Sequence, residues 1–574
     1  MHFLKQNKHK LAKYGILLLS AYILILKIYA AHKLPYLGDE LGDINTIKLD
    51  LSSYRNFFSH ADSPAQSHFS QLICIPIILL FKTNALFATR ILSIVINSIY
   101  LFVFFRLLRL KLSFSRSMYG TVLASLSCYL FSFSILNMSS SDNTYILFST
   151  LALYLYLKNH AKISNKLSIK NTAVLGIVIG LSIAAKLFGL TILVSVFIYD
   201  LWMHYKNKAT RAEIINTKLS SSRSSLKLGT LNFSFLLIWI EVNIAPLPSV
   251  LKFYLMVGAS ILYLIAGIYM YLHENSKETA KNFIEKWILL TTTALVTTII
   301  FSPIYFNINN IFEIRDWLQS WSSQSTGLIH SYKDIYIIIA VKFGLFAGAL
   351  LAIALLKLYK TGRLKALIND YLLLIIVAII QLIIFTFSEW LLTWYALMIF
   401  PFLYIPFAYI WPEKKILSKR FSSNLLIAAL IFIPIFEQYR YIKIFPYGET
   451  DGAQFGPKYV GSNKPGFITF EFIPDLVKFF KNNQSTYENK DIFCVITNNT
   501  VINDYVIDVV NTELHNAGLH NTKCVLSLEP EKINYILSFF RMRETAASDY
   551  HLQEIQKFKV NTSVSLVLYK KLNT

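Results

Sequence analysis

From residue 16 to residue 437 the chain is a succession of long apolar runs separated by clusters of charge. A helix of about 20 apolar residues spans a bilayer core, so the repeated pattern reads as several membrane-crossing helices. Composition agrees. Of 574 residues, 55% are hydrophobic, 15% aromatic and 15% charged, with mean hydropathy +0.48, whereas soluble chains carry about 25% charged residues. A soluble protein is excluded, and the fold class expected is an all-α polytopic membrane domain followed by a small α/β domain. The net charge of +22, from 55 Lys+Arg against 33 Asp+Glu, does not point to nucleic acid, because the basic residues lie mainly in short loops between apolar runs. Such loops stay on the cytoplasmic side. Cys74 and Cys128 fall inside apolar runs, so the four cysteines indicate neither a disulfide-dense scaffold nor a cysteine metal site.

Placing every basic loop on one side sets the order of crossings. The first run, Tyr14 to Ala31, follows Lys5, Lys8, Lys10 and Lys13. A signal peptide begins that way, as does a retained anchor, and the many spans that follow with no small-residue cleavage site favour the anchor, N-terminus inside. His68 to Phe81 is short for a crossing and reads as an interfacial or re-entrant segment. Spans are then expected over Leu86–Phe105, Tyr119–Leu136 and Asn143–Leu157. The stretch Thr172–Trp202 has basic loops at both ends, so it should hold two spans turning near Lys186-Leu-Phe-Gly189. Further spans follow over Leu231–Ala245, Val250–Leu272, Trp287–Tyr305, Ile335–Leu356, Tyr371–Phe387, Trp394–Trp411 and Asn424–Phe436, with His273 to Lys286 as a loop of mixed charge. The total is about thirteen spans in the cytoplasmic (inner) membrane, with the C-terminus outside.

A membrane domain over 1–437 therefore carries outward loops at 32–67 and 306–334, and 438–574 is expected as a soluble extracytoplasmic α/β domain. Short β-rich stretches, Phe467–Phe472, Ile492–Ile496 and Val564–Tyr569, alternate there with helical patterns such as Val501–Leu514. Cys494 and Cys524 fall in this outward part, where disulfides persist, and are expected to be bonded.

Several residues can carry chemistry. The first outward loop contains Leu37-Gly-Asp-Glu-Leu-Gly-Asp43. Its adjacent carboxylates Asp39 and Glu40 read either as a solvated loop or as a group that accepts a hydroxyl proton or holds a divalent cation beside a lipid phosphate. Asp142, in Asn137-Met-Ser-Ser-Ser-Asp-Asn143, is placed to cap the helix that follows and to serve the same pocket. His68 opens the short segment, as a surface anchor or a site residue. Arg90, at the outer start of a span, and Lys186, at a hairpin turn, are ionisable groups at membrane depth, which cost about 2.5–3.5 kcal/mol at a helix centre and are site hypotheses by default. Snorkelling to head groups is the competing account of Arg90. The loop 306–334 adds Arg315, Trp317, Trp321 and His330. Its tryptophans suit an interface, and such a loop equally suits covering a cavity for a sugar.

In this order the features resemble the type C glycosyltransferases, polytopic enzymes that use polyprenyl-phosphate-linked sugars, and especially the protein O-mannosyltransferase and aminoarabinose transferase branch. Asp39-Glu40 looks like that family's Asp-Glu in the first outward loop. Ser67-His68-Phe69 through Phe81-Lys82, then Phe87-Ala-Thr-Arg90, looks like its His-Pro-Pro-Leu segment leading to Ala-Leu-Arg. Asp142 matches the aspartate closing the second outward loop. Gly176-Ile-Val-Ile-Gly-Leu181 with Lys186-Leu-Phe-Gly-Leu190 looks like its Gly-Leu and Lys hairpin, and Trp394-Tyr395 to Phe400-Pro401 like its Arg-Tyr-Leu and Pro span. His68 lacks the two prolines, and Trp394 stands where the family carries arginine.

The resemblance implies transfer of a sugar from a polyprenyl phosphate to a glycan, lipid or protein acceptor at the outer face. Asp39 would be the general base, Glu40 would orient the acceptor or a cation, and Asp142 would support that pocket. Arg90 and Lys186 would neutralise the donor phosphate, while His68, Arg315, His330 and Tyr395 would contact substrate. Any divalent cation, Mg or Mn, would fall to Asp39, Glu40 and Asp142. A transporter or lipid flippase, and a non-catalytic envelope scaffold, are the other classes open to such a chain. The first predicts paired broken helices and an inverted repeat.

Overall fold

The computed structural model describes residues 21–29, 31–32, 68–81, 85–126, 141–160, 169–214, 277–302, 345–387, 398–410, 472–495, 507, 510–511, 513–515, 517–525, 534–539, 552–559 and 565–572. The chain forms two compact units, one of Met1–Ser53, Cys74–Ile91 and Ile435–Thr574, the other of Tyr54–Ile73 and Leu92–Pro434.

Apolar runs become helices in the first two-thirds of the chain: α1 (His68–Leu80), α2 (Ala85–Leu108), α3 (Phe114–Leu126), α4 (Ser141–His160), α5 (Ile169–Ala185), α6 (Leu190–Ile214), α7 (Lys277–Phe301), α8 (Leu345–Lys360), α9 (Leu364–Phe387) and the short α10 (Phe400–Leu403) and α11 (Ile405–Ile410). Among the described residues, Phe87–Leu108 and Leu364–Ile383 are long and apolar enough to cross a membrane, and Ile169–Ala185, Leu187–Met203 and Pro401–Ile410 are shorter apolar helices. The expected spans over 231–245, 250–272 and 424–436 lie outside the described residues.

From Ala294 onward, burial along α7 runs opposite to that of a soluble helix. Ala294, Thr297, Thr298 and, just past the helix end, Ser302 are buried, while Leu295, Val296, Ile299 and Ile300 are exposed. Large aliphatic groups turned outward over a polar inner stripe are stable where the surrounding medium is apolar. The inner stripe packs on α5. A Cβ on Gly180 would stand 2.5 Å from the Ala294 carbonyl oxygen and one on Gly176 2.7 Å from that of Leu290. Glycines spaced by four are thus what let the two backbones meet. Thr298 Oγ1 donates to Gly180 O (3.2 Å) and Ser302 Oγ to Ala184 O (2.9 Å) across the same seam.

Two charged stretches differ from expectation. The loop expected over 273–286 is helical from Lys277, and α6 runs on through Lys206, Lys208 and Arg211 to Ile214. Lys, Glu and Arg lose little rotamer freedom in a helix, so charge alone does not end one. The turn at Lys186 is present: α5 ends at Ala185, Lys186 is extended (φ −159°), and a 3₁₀ turn, Leu187–Gly189, leads into α6. In α9 the residue at the expected start of the span, Tyr371, leaves helical geometry (φ −122°, ψ 21°).

The C-terminal part carries a five-stranded sheet of β1 (Asp491–Val495), β2 (Lys523–Val525), β3 (Tyr535–Phe539), β4 (Leu552–Lys559) and β5 (Ser565–Lys571), in the order β2-β1-β3-β5-β4. Strands β1, β2 and β3 run parallel, and β5 is antiparallel to β3 and β4. Ile492, Leu537, Leu566 and Leu568 share a core with Ile473, Leu476 and Phe480 of α12 (Phe472–Asn482) and with Ile507, Val510 and Leu514. Period two in the strands meets a 3.6-residue period in the helices. The alternate residues Ile536, Val567 and Tyr569 are buried as well. The strand expected over 467–472 does not reach its last residue, because Phe472 opens α12: Pro474 and Asp475 suit a first helical turn.

The expected disulfide is not formed. Cys494 and Cys524 are free and buried. Cys524 pairs with Ile492, two residues before Cys494, on parallel strands. About 6.6 Å along the strand and about 4.8 Å across place the two Cα atoms about 8 Å apart, beyond disulfide reach. The thiols hydrogen-bond instead, and burial followed by that contact pushes the Cys494 thiol well above its ordinary pKa.

Candidate functional site

Asp39, Glu40, Arg315, His330 and Tyr395 lie outside the described residues. His68 is the first residue of α1 and Asp142 the second of α4.

Arg90 and Lys186 are described in full. Arg90, in the first unit, is 2% exposed, and its Nη1 donates to the Ala31 carbonyl at 3.0 Å. That burial is not the snorkelling arrangement, in which the guanidinium would reach head groups. Beside this contact the His32 ring meets the Phe87 ring edge-on at 5.8 Å. Lys27, one helical turn before Ala31, is 3% exposed and was not among the predicted cations. Its signal was present: a lysine inside the apolar run Tyr14–Ala31 is a charge at membrane depth. Lys186, in the second unit, is 8% exposed, with Nζ 5.9 Å from the Phe188 ring centroid. Its own amide donates to Ser182 O (3.1 Å) and its carbonyl accepts from Gly189 N (2.8 Å), so the helix break is hydrogen-bonded on both sides.

The N-terminal half of α4, directly after Asp142, turns a polar face inward. Asn143 Nδ2 donates to Ser93 Oγ of α2 (2.8 Å), Gln381 Nε2 of α9 donates to the hydroxyl of Tyr145 (2.5 Å) and to Thr191 Oγ1 of α6 (3.2 Å), and Ser149 shares a hydrogen bond with Ser182 of α5 (2.7 Å). Among the described residues, Thr144 Oγ1 and Gln381 Oε1 are buried without a hydrogen-bond partner. Leaving such groups unpaired costs about 1–3 kcal/mol each. A seam joining four helices around Asn143, Tyr145 and Gln381 was not read from the sequence, because single Asn, Tyr and Gln residues in apolar runs carry no spacing signal.

A second buried cluster has a different character. Asp200 of α6 accepts hydrogen bonds from the Tyr156 hydroxyl (2.5 Å) and Trp287 Nε1 (3.1 Å) and forms an ion pair with Lys286 of α7. Lys286 Nζ also lies 5.6 Å from the Tyr156 ring centroid. Asp370 of α9 is held similarly, by the Tyr409 hydroxyl and by Lys111 Nζ at 3.3 Å. Carboxylates so supplied with donors tie the helices together. Asp200 was not singled out, although an acid inside the run Thr172–Trp202 is a signal that could have found it; its partner Lys286 read as a loop charge. No group of three or more His, Cys, Asp or Glu lies together among the described residues.

No family model matches this chain, and no curated protein matches it. Among solved structures it is similar to ArnT from Cupriavidus metallidurans bound to undecaprenyl phosphate, at 11% identity and a TM-score of 0.49, covering 97% of this chain and 98% of that one. The same protein in the apo state gives 12% identity and a TM-score of 0.48. The archaeal oligosaccharyltransferase AglB from Archaeoglobus fulgidus, in complex with an inhibitory peptide and a dolichol-phosphate, gives 12% and 0.45 over 93% of this chain and 70% of that one.

Proposed function

We propose that this protein is an integral membrane glycosyltransferase that moves a sugar from a polyprenyl-phosphate donor to an acceptor hydroxyl at the outer face of the membrane, with 438–574 as its outward domain. Asp39 takes the proton from the acceptor hydroxyl as its oxygen bonds to the anomeric carbon. The bond from that carbon to the phosphate oxygen breaks, and polyprenyl phosphate leaves with the electron pair. Glu40 orients the acceptor, and Asp142 supports it from the start of α4. Arg90 and Lys186 are each assigned to the charge that the leaving phosphate gains, where fixed cations in a water-poor setting act most strongly.

The observation that carries this reading is the burial of Arg90 and Lys186, at 2% and 8% exposure, at a helix start and a helix break of a polytopic chain. A cation held away from water is weakly screened and therefore acts strongly on a nearby phosphate charge. The ordered matches at Asp39-Glu40, His68, Arg90, Asp142 and Lys186 support the same reading.

The test uses purified protein in lipid vesicles with a polyprenyl-phosphate donor labelled on the sugar. Acceptor-dependent release of polyprenyl phosphate is expected. Movement of intact donor between leaflets without cleavage would make the protein a flippase, and neither activity would leave the scaffold reading.

A further inference from the structure

In the C-terminal part of the chain, two exposed histidines face one another with Nδ1 atoms 2.9 Å apart and ring centroids 4.3 Å apart. The local sequence, Leu514-His-Asn-Ala-Gly-Leu-His520, explains why they meet. The helix that contains residues 513–515 ends in a Schellman turn: Leu519 N donates to Leu514 O (2.9 Å) and Gly518 N to His515 O (3.0 Å). Gly518 has φ +86°, the left-handed conformation that the turn requires and glycine supplies without steric cost. The apolar pair Leu514 and Leu519 closes the motif inside the sheet core. The turn reverses the chain, and the residue after it, His520, arrives beside His515.

The support beneath the pair is fixed. Asn511 bonds β2 twice, Nδ2 to Cys524 O (2.9 Å) and Oδ1 from Cys524 N (2.7 Å). Thr522, buried, donates from Oγ1 to Tyr487 O (3.0 Å). A hydrogen bond between two imidazoles in water contributes little, about 1 kcal/mol at most. The pairing is therefore set by the turn, with both rings left open to solvent.

We propose that His515 and His520 form a bidentate site for a late first-row divalent cation, Cu²⁺ or Ni²⁺ in preference to Zn²⁺. With metal–nitrogen bonds of about 2.0–2.1 Å, two ligands at a right angle stand about 2.9 Å apart, and two at a tetrahedral angle about 3.3 Å apart. The 2.9 Å of the hydrogen-bonded pair lies close to the right-angle bite, so a tetragonal cation can replace the shared proton with little movement, and imidazole nitrogen suits copper and nickel. The ring that carries its proton on Nδ1 exchanges it to Nε2 through water, so both Nδ1 lone pairs reach the metal and no net proton is lost. The site stands at a helix C-terminus, where the helix dipole favours positive charge. Water fills the remaining positions.

The experiment uses the full-length protein without a polyhistidine tag, in lipid nanodiscs, titrated with Ni²⁺ by calorimetry and with Cu²⁺ by electron paramagnetic resonance. One equivalent of each should bind. His515→Ala and His520→Ala should each weaken Ni²⁺ binding by about tenfold or more, because a chelate loses its second, effectively intramolecular ligand. The copper spectrum should show two nitrogen ligands in the parent and fewer in either variant, with Zn²⁺ the weakest of the three cations. Amide exchange over 507–525 without metal reports whether a variant keeps the turn; in the parent it should slow on adding Ni²⁺. Equal Ni²⁺ binding by the parent and the doubly substituted protein, or no binding by the parent, would overturn the proposal.

Discussion

Helix α7 buries Thr297 and Thr298, with Ser302 just past its end, and exposes Leu295, Val296 and Ile300, while strands β3 and β5 bury Leu537, Leu566 and Leu568 and leave Lys570 exposed. The difference follows from the medium. Against lipid, apolar burial gains nothing, so helices associate through close backbone approach and hydrogen bonds, as Gly176, Gly180, Thr298 and Ser302 provide between α5 and α7. Against water, removing apolar area is the main driving term, and the sheet core is filled with large rings: Phe480, Tyr487 and Tyr535 stand 4.9 and 5.1 Å apart in sequence of contact. The helix seam should fail when atoms are added, and the sheet core when they are removed.

The largest effect belongs to the sheet. Phe480 is fully buried between α12 and the strands, so Phe480→Ala should cost about 4 kcal/mol. Faster amide exchange across 491–495 and 565–571, with the membrane helices unchanged, is the measurement. An unaltered pattern would mean that the aromatic cluster is not what holds the sheet.

Next comes the ion pair between α6 and α7. Asp200→Asn leaves the half-buried Lys286 without this counter-charge and should destabilise the helical unit by about 2 kcal/mol. Pairing it with Lys286→Met should restore most of that loss in a thermal melt in detergent. If the double variant were as weak as the single one, the pair would not be the source.

Gly180→Ala sets two effects of opposite sign against one another. Alanine improves helix propensity by about 1 kcal/mol, yet its Cβ would press on the backbone oxygen of Ala294 at 2.5 Å, which no rotamer relieves. Overpacking of this kind costs about 1–3 kcal/mol. A net loss of about 1 kcal/mol is expected in the same melt, and a gain in stability would show that α5 and α7 do not need the close approach.

The smallest effect is a pH dependence confined to the C-terminal sheet. Burial raises the Cys494 thiol above its unfolded value, so the folded state favours the protonated form. Its contribution is fully present below the unfolded thiol pKa of about 8.5 and is lost as pH climbs toward the raised folded value. Urea resistance of this region should fall between pH 8 and pH 10, and Cys494→Ala should flatten that slope. Alkylation of Cys494 at pH 8 in the native protein as fast as in urea would contradict the burial.

What the sequence disclosed and what it hid follow the same division by medium. The break at Lys186, the helices around Arg90 and Asp142, and strands β1 and β5 were legible because charge placement and alternation leave strong local signals. The seam around Asn143, Tyr145 and Gln381 was not, since each side chain is a lone polar residue whose partner comes from a distant helix. Ends were misread at Lys277 and Phe472, where helix propensity overrode a reading by charge or by β-rich composition. The predicted disulfide failed on register: two cysteines on neighbouring strands say nothing about which residues stand opposite. Of the candidate site, Arg90 and Lys186 were singled out by the cost of charge at membrane depth, while the Asp200–Lys286 pair required the fold to bring α6 and α7 together.

An acidic residue of the first outward loop is proposed to activate the acceptor, a claim that Asp39→Asn puts at risk. The substitution keeps the shape of the side chain and removes its basic oxygen. Release of polyprenyl phosphate from a labelled donor by purified protein in lipid should fall by about 10²–10⁴, with normal abundance and donor binding largely retained, and Glu40→Gln should cost less. Turnover by Asp39→Asn close to that of the unmodified protein would contradict the claim and pass the role of base to Asp142.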